Sequence, residues 1–198
     1  DETSRGLGDV YKRQEPGLAR RCGQDLDDLP ISNLSRLLQC QIEEVPLPAV
    51  RPPKQLAAVV GLNSFGSLLW PQKIPLPGEV AVFLSGGTLD LITPPLSEQL
   101  GLLRSLPANP ATRAVLVEGA SHFSPVRVEG QSGGGQGEDV FQLGEELVGV
   151  QPLRVQAQLE REIVRFLLDL ELGRVSGAVH GDVEHLQVGD LHVHRLNQ

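Results

Sequence analysis

The sequence predicts an α/β sheet built on parallel strands with flanking helices, and three observations predict it. LAAVVGL (residues 56–62), VAVFLSG (80–86) and AVLVEG (114–119) are apolar runs of strand length. They are continuous rather than alternating, the pattern of strands buried on both faces. Helix-spaced leucines follow the second run and a long amphipathic stretch follows the third, giving the order strand, strand, helix, strand, helix.

Each element has a local reason. Residues 1–14 show no periodicity a core can use, and GLGDVYKRQ resembles a translated sequencing-adapter leader, so they are expected to be non-native or disordered. The chain starts at Asp1 and contains no methionine, so a processed product or a fragment is expected. Residues 15–54 read as a linker with one short helix. There LSRLLQCQI places Leu34, Leu37, Leu38 and Ile42 at helix spacing, with Ser32 or Asn33 as the cap. The Pro-rich EEVPLPAVRPP that follows is extended. Residues 55–174 carry the three strand runs. Within them, SEQLGLLRSL spaces Leu100, Leu103 and Leu106 for a helix after Pro94-Pro95. A second helix is expected from Leu153 to about Leu172, with Leu159, Ile163, Phe166, Leu167 and Leu170 as its apolar stripe. Arg165 and Asp169 are spaced to pair across one turn, and Gly173 stands where a C-terminal cap belongs. Residues 175–198 alternate in period two and read as a short β-like tail.

Charge narrows the partners. The chain carries 17 basic and 25 acidic residues, a net of −8. Twelve of the acids but only 4 of the bases fall between Glu129 and Asp190, so the rest of the chain is neutral. With no basic stripe, neither a nucleic acid nor an anionic membrane is an expected partner. No apolar run approaches the ~18 residues of a transmembrane helix. Cys22 and Cys40 lack nearby His at metal-ligand spacing; two unpaired thiols are favoured over one disulfide.

Chemistry is sought beyond the C-terminal ends of the strands, where open α/β sheets build their sites. Asp90 follows the second run in GTLD, and His122 follows the third in ASHFS. An acid and a histidine in that order occupy the last two places of a Ser–Asp–His triad in α/β-hydrolase chain order. In such a triad His takes the nucleophile's proton, while the carboxylate fixes its tautomer and stabilises the imidazolium. The bland alternatives are a helix cap and a structural loop histidine.

These residues carry a family resemblance. GEVAVFLSGGTLDLITPPLSEQL and the later LVEGASHFS resemble the C-terminal half of bacterial, particularly cyanobacterial, α/β hydrolases of the dienelactone-hydrolase and platelet-activating-factor-acetylhydrolase-like group. The matching motifs are Gly87-Thr88-Leu89-Asp90, Thr93-Pro94 and Glu118-Gly119-Ala120-Ser121-His122-Phe123. NLSRLLQCQ and AVVGLNSFGSLLWP resemble the region after that family's nucleophile strand, so the likeness runs from Leu26 to Leu172. It implies that residues 55–174 form the C-terminal half of an α/β-hydrolase domain. It also implies hydrolysis of a small carboxylic ester through an acyl-enzyme, with Asp90 and His122 catalytic and no cofactor or metal.

One departure from the pattern is plain. The nucleophile elbow Gly-x-Ser-x-Gly is absent; Ser64 and Ser85 stand in the nearest contexts, and neither is flanked by glycines at the required spacing. The chain is therefore expected to be a fragment, inactive alone, whose first strand exposes an unpaired edge. The rivals are a catalytically dead hydrolase fold used as a binding module, and a peptidase or C–C hydrolase on the same fold. Asn63, at the end of the first strand, reads as a pocket-mouth residue or a turn former. Phe65 and Trp70 read equally as an acyl-binding wall or as apolar surface beneath a loop. His185, His192 and His194 read as polar strand residues rather than metal ligands. SGGGQGE lacks the Lys and Ser/Thr of a phosphate loop and reads as an insertion beside His122. Substrate identity and oligomeric state stay open, as does a periplasmic, exported or cytoplasmic location.

Overall fold

A computed structural model describes residues 18–27, 33–41, 53–69, 74, 76–126, 152–174 and 183–197. The leader, Trp70 and the SGGGQGE stretch lie outside the described residues. The elements in chain order are α1 (Leu18–Asp27), α2 (Leu34–Gln41), β1 (Ala58–Leu62), β2 (Ala81–Gly87), α3 (Gln99–Ser105), β3 (Arg113–Val117), α4 (Pro152–Glu171), β4 (Val183–Val188) and β5 (Leu191–Asn197).

The five strands form one sheet in the order β1-β2-β3-β5-β4. β1, β2 and β3 are mutually parallel, as their continuous apolarity predicts. Every residue of β2 and β3 is buried. Val82, Leu84 and Ala114 face α3, packing on Leu102, Leu103 and Leu106. On the other face Ala81, Phe83 and Val115 meet Phe166 of α4 and Val193 of β5. The Phe83 and Phe166 rings lie 5.6 Å apart, tilted by 49°.

The sheet is not purely parallel, which corrects the expectation of three parallel strands with a separate tail. The tail folds into a β4–β5 hairpin, and β5 pairs antiparallel with β3. Its alternation has a physical cause: Leu191 and Val193 point into the core while His192 is exposed. An antiparallel strand with one face in solvent needs that pattern.

Three local expectations also change. Asp169 pairs with Arg113 of β3 at 3.0 Å rather than with Arg165, and the same guanidinium lies over the Phe166 ring. Helix α1 has no counterpart in the sequence reading. It packs Leu18 and Cys22 against Leu68 and Leu69, and Cys22 is joined to Cys40 of α2. The cysteines are thus a disulfide, not free thiols. Two cysteines 18 positions apart gave no sign that the two helices lie side by side. The α4 cap, by contrast, forms as expected: Gly173 takes φ 62°, its N–H bonds to Leu170 O, and Arg174 N bonds to Asp169 O.

Candidate active site at the strand tips

The three parallel strands end side by side, and each contributes to one cluster. Asn63 immediately follows β1, Asp90 follows β2, and His122 follows β3. The last two loops are brought together by a glycine. A Cβ on Gly87 would lie 2.1 Å from the Ala120 carbonyl oxygen, so only glycine lets the loops touch. Leu89 N then bonds to Ala120 O at 3.0 Å, and Gly119 N to Thr88 Oγ1 at 2.9 Å.

That contact sets the acid against the histidine. Asp90 Oδ2 lies 3.0 Å from His122 Nδ1. The carboxylate has no exposed side-chain surface, whereas a quarter of the imidazole is exposed. The two oxygens of Asp90 divide their partners. Oδ1 accepts the backbone N–H groups of Ile92 (2.9 Å) and Thr93 (2.7 Å), which locks the loop. Oδ2 accepts the Thr93 hydroxyl at 2.7 Å and faces His122. With Nδ1 so occupied, Nε2 is the nitrogen left for proton exchange.

Asn63 holds the loop from below. Its Nδ2 donates to the carbonyls of His122 and Ser121, and its own N–H donates to Ser85 O at 2.9 Å. Its backbone sits at φ 48°, a left-handed conformation that Asn tolerates better than most residues. Asn63 is thus a buried anchor of the histidine loop. Phe65, two residues further on, is exposed.

A second polar cluster fixes the loop after β1. Glu98, fully buried, accepts Gly66 N (3.0 Å) and Ser67 N (3.1 Å) on Oε2, and Ser67 Oγ (2.7 Å) on Oε1. Asn33 Nδ2 and Gln39 Nε2 of the α2 region complete the shell, each at 3.2 Å. Burial alone would raise its pKa. The hydrogen bonds from Ser67, Gly66 and Asn33 outweigh burial and hold the carboxyl below its usual range. Gln39 turns its carbonyl oxygen to Leu68 N at 2.8 Å. Sequence reasoning missed Thr93 as a partner of the dyad and missed Glu98 altogether. Thr93 belongs to the Thr93-Pro94 motif, which gave it no separate role. Glu98 carried no signal, because a lone acid in a helix-forming stretch usually faces water.

The histidines of the tail lie elsewhere. His185 and His194 stack edge to face at 4.4 Å, and His194 Nε2 is 2.6 Å from Glu118 Oε1. Among the described residues no three His, Cys, Asp or Glu side chains converge as metal ligands. No described helix is long and apolar enough to cross a membrane. In comparison with known proteins, the chain matches no family model and no curated sequence.

Proposed function

We propose that Asp90 and His122 are the acid and the base of a Ser–Asp–His triad, and that the chain is the C-terminal part of an α/β hydrolase acting on small carboxylic esters. The observation that carries this reading is the buried Asp90 Oδ2 within 3.0 Å of His122 Nδ1, at the C-terminal tips of adjacent parallel strands. The acid holds Nδ1 protonated, so Nε2 takes the proton of an attacking serine and returns it to the leaving alcohol. The serine and its oxyanion donors would come from a strand beside β1. Two features of β1 support such a neighbour: it is an edge strand among the described residues, and it leaves Val59, Val60 and Leu62 exposed on a parallel strand.

The test is the chain joined to its natural upstream coding sequence, assayed on short p-nitrophenyl esters. Turnover is expected from the extended protein and none from the 198 residues alone. In the extended protein His122→Ala should lower kcat by several orders of magnitude, and Asp90→Asn by about 10⁴ through the wrong tautomer. The double variant should be scarcely worse than the worse single one, because the two act as a unit. Additive losses of about tenfold each would reduce the pair to a cap and a loop anchor. An upstream sequence without a nucleophile elbow would favour the binding-module reading, in which Asp90 and His122 are relics.

A further inference from the structure

We propose that Thr93 is a positioning residue that fixes the tautomer of His122, an inference that rests on the triad reading of Asp90 and His122. Its hydroxyl stands at the centre of three polar atoms. Oγ1 lies 2.7 Å from Asp90 Oδ2, 3.0 Å from His122 Nδ1 and 3.2 Å from Asn63 O. Thr93 has no solvent exposure, so water does not share these contacts.

A hydroxyl has one proton, and its place decides the rest. Two acceptors compete for it: a carboxylate oxygen at 2.7 Å and a neutral carbonyl at 3.2 Å. The charged, nearer acceptor wins, so the proton points at Asp90 Oδ2. The lone pairs of Oγ1 are then available towards Nδ1. A bare Nδ1 would set its own lone pair against two oxygens at once, Oγ1 and Oδ2, each 3.0 Å away. Protonated, Nδ1 donates to both in a three-centre bond. Thr93 therefore favours the same Nδ1–H tautomer that the acid favours, from a second direction. It also keeps Oδ2 aimed at the imidazole while the backbone N–H groups hold Oδ1. Nε2 is left unprotonated, the state that a general base requires.

The test reads the imidazole directly in the chain as it exists, by long-range ¹H–¹⁵N NMR of the ¹⁵N-labelled protein at about pH 8.5, above the ordinary imidazole range. The His122 signals are assigned by their loss in His122→Gln. Wild type should show a protonated Nδ1 and an unprotonated Nε2. Thr93→Ala and Thr93→Val should both shift the tautomer ratio towards Nε2–H, by about tenfold if one hydrogen bond is lost. Thr93→Ser, which restores only the hydroxyl, should return the wild-type ratio. Backbone amide spectra report whether each variant folds, and Ser against Val decides the matter where Ala does not fold. An unchanged ratio in folded Thr93→Ala or Thr93→Val, or a shift that Ser does not reverse, overturns the proposal. If Asp90→Asn still shifts the ratio in that case, the triad reading survives without Thr93. An Nε2–H tautomer in wild type overturns both.

Discussion

At the scale of single residues, the site is held by side chains that do not react. Asn63 is the clearest case, since one residue meets two demands. Its backbone must sit at φ 48°, and its amide must reach the His122 carbonyl. Alanine fails both, losing the hydrogen bond and incurring the left-handed penalty. Glycine loses only the hydrogen bond. Asn63→Ala should therefore be the less stable variant, by about 1 kcal/mol relative to Asn63→Gly in chemical denaturation. The reverse order would mean that the backbone there is unstrained. Much of this scale was legible in the sequence. The meeting of Asp90 with His122 was anticipated because strand tips are where α/β sheets build their sites. The role of Asn63 was not, because a side chain bonded to a carbonyl 59 residues away leaves no trace in local pattern.

At the scale of elements, α2 reverses the usual rule. Its cap and inward residues are polar: Asn33, Ser35 and Gln39 are buried, while Leu34, Leu37 and Leu38 are exposed. The spacing of those leucines correctly marked a helix but not its inward face. That face was chosen by Glu98, whose buried carboxylate needs neutral donors and finds two of them on Asn33 and Gln39. Because its folded pKa is depressed, the stabilisation it brings is fully present above the ordinary carboxylate value. It is lost as the pH falls from about 5 through the folded value. Glu98→Gln should remove that part of the acid dependence. It should also destabilise the protein at pH 7 by about 2–3 kcal/mol, since either amide orientation sets an NH₂ against existing donors. Urea denaturation at pH 7 and pH 4 reads both effects, and a variant with an unchanged acid slope would remove Glu98 from the account. The neighbouring disulfide acts on the same pair of helices. Opening the loop from Cys22 to Cys40, 18 residues apart, should cost about 3 kcal/mol. Mass spectrometry without reductant should show the bond, and a Tm unmoved by reductant would show that α1 and α2 are held by packing alone.

At the scale of the whole molecule, the sheet ends differently on its two sides, in the charge-bearing hairpin strand β4 and in the apolar strand β1. Beyond β3 the hairpin extends it: β5 buries Leu191 and Val193, and Arg195 reaches back to the buried Glu162 of α4 at 2.7 Å. This extension was hard to foresee, because antiparallel addition of a tail depends on pairing with β3, some 80 residues earlier. The other side was easier to foresee, since the apolar run of β1 matches those of β2 and β3. Ala81 N bonds to Ala57 O, and Asn63 N to Ser85 O, so the odd-numbered residues of β1 face β2. The N–H and C=O groups of Ala58, Val60 and Leu62 consequently point away from the sheet. Among the described residues no strand pairs with them. An open, apolar edge of this kind templates association unless a charge or a covering segment blocks it. The isolated chain should accordingly self-associate as its concentration rises, and Val60→Lys should suppress this by placing an ammonium on the edge. Sedimentation velocity over a concentration series distinguishes the outcomes. A wild-type chain that stays monomeric across the series, as Val60→Lys does, would show that the edge is covered within the chain itself. The support that β1 lends to a neighbouring nucleophile strand would then be withdrawn, while the dyad at the tips of β2 and β3 would stand on its own geometry.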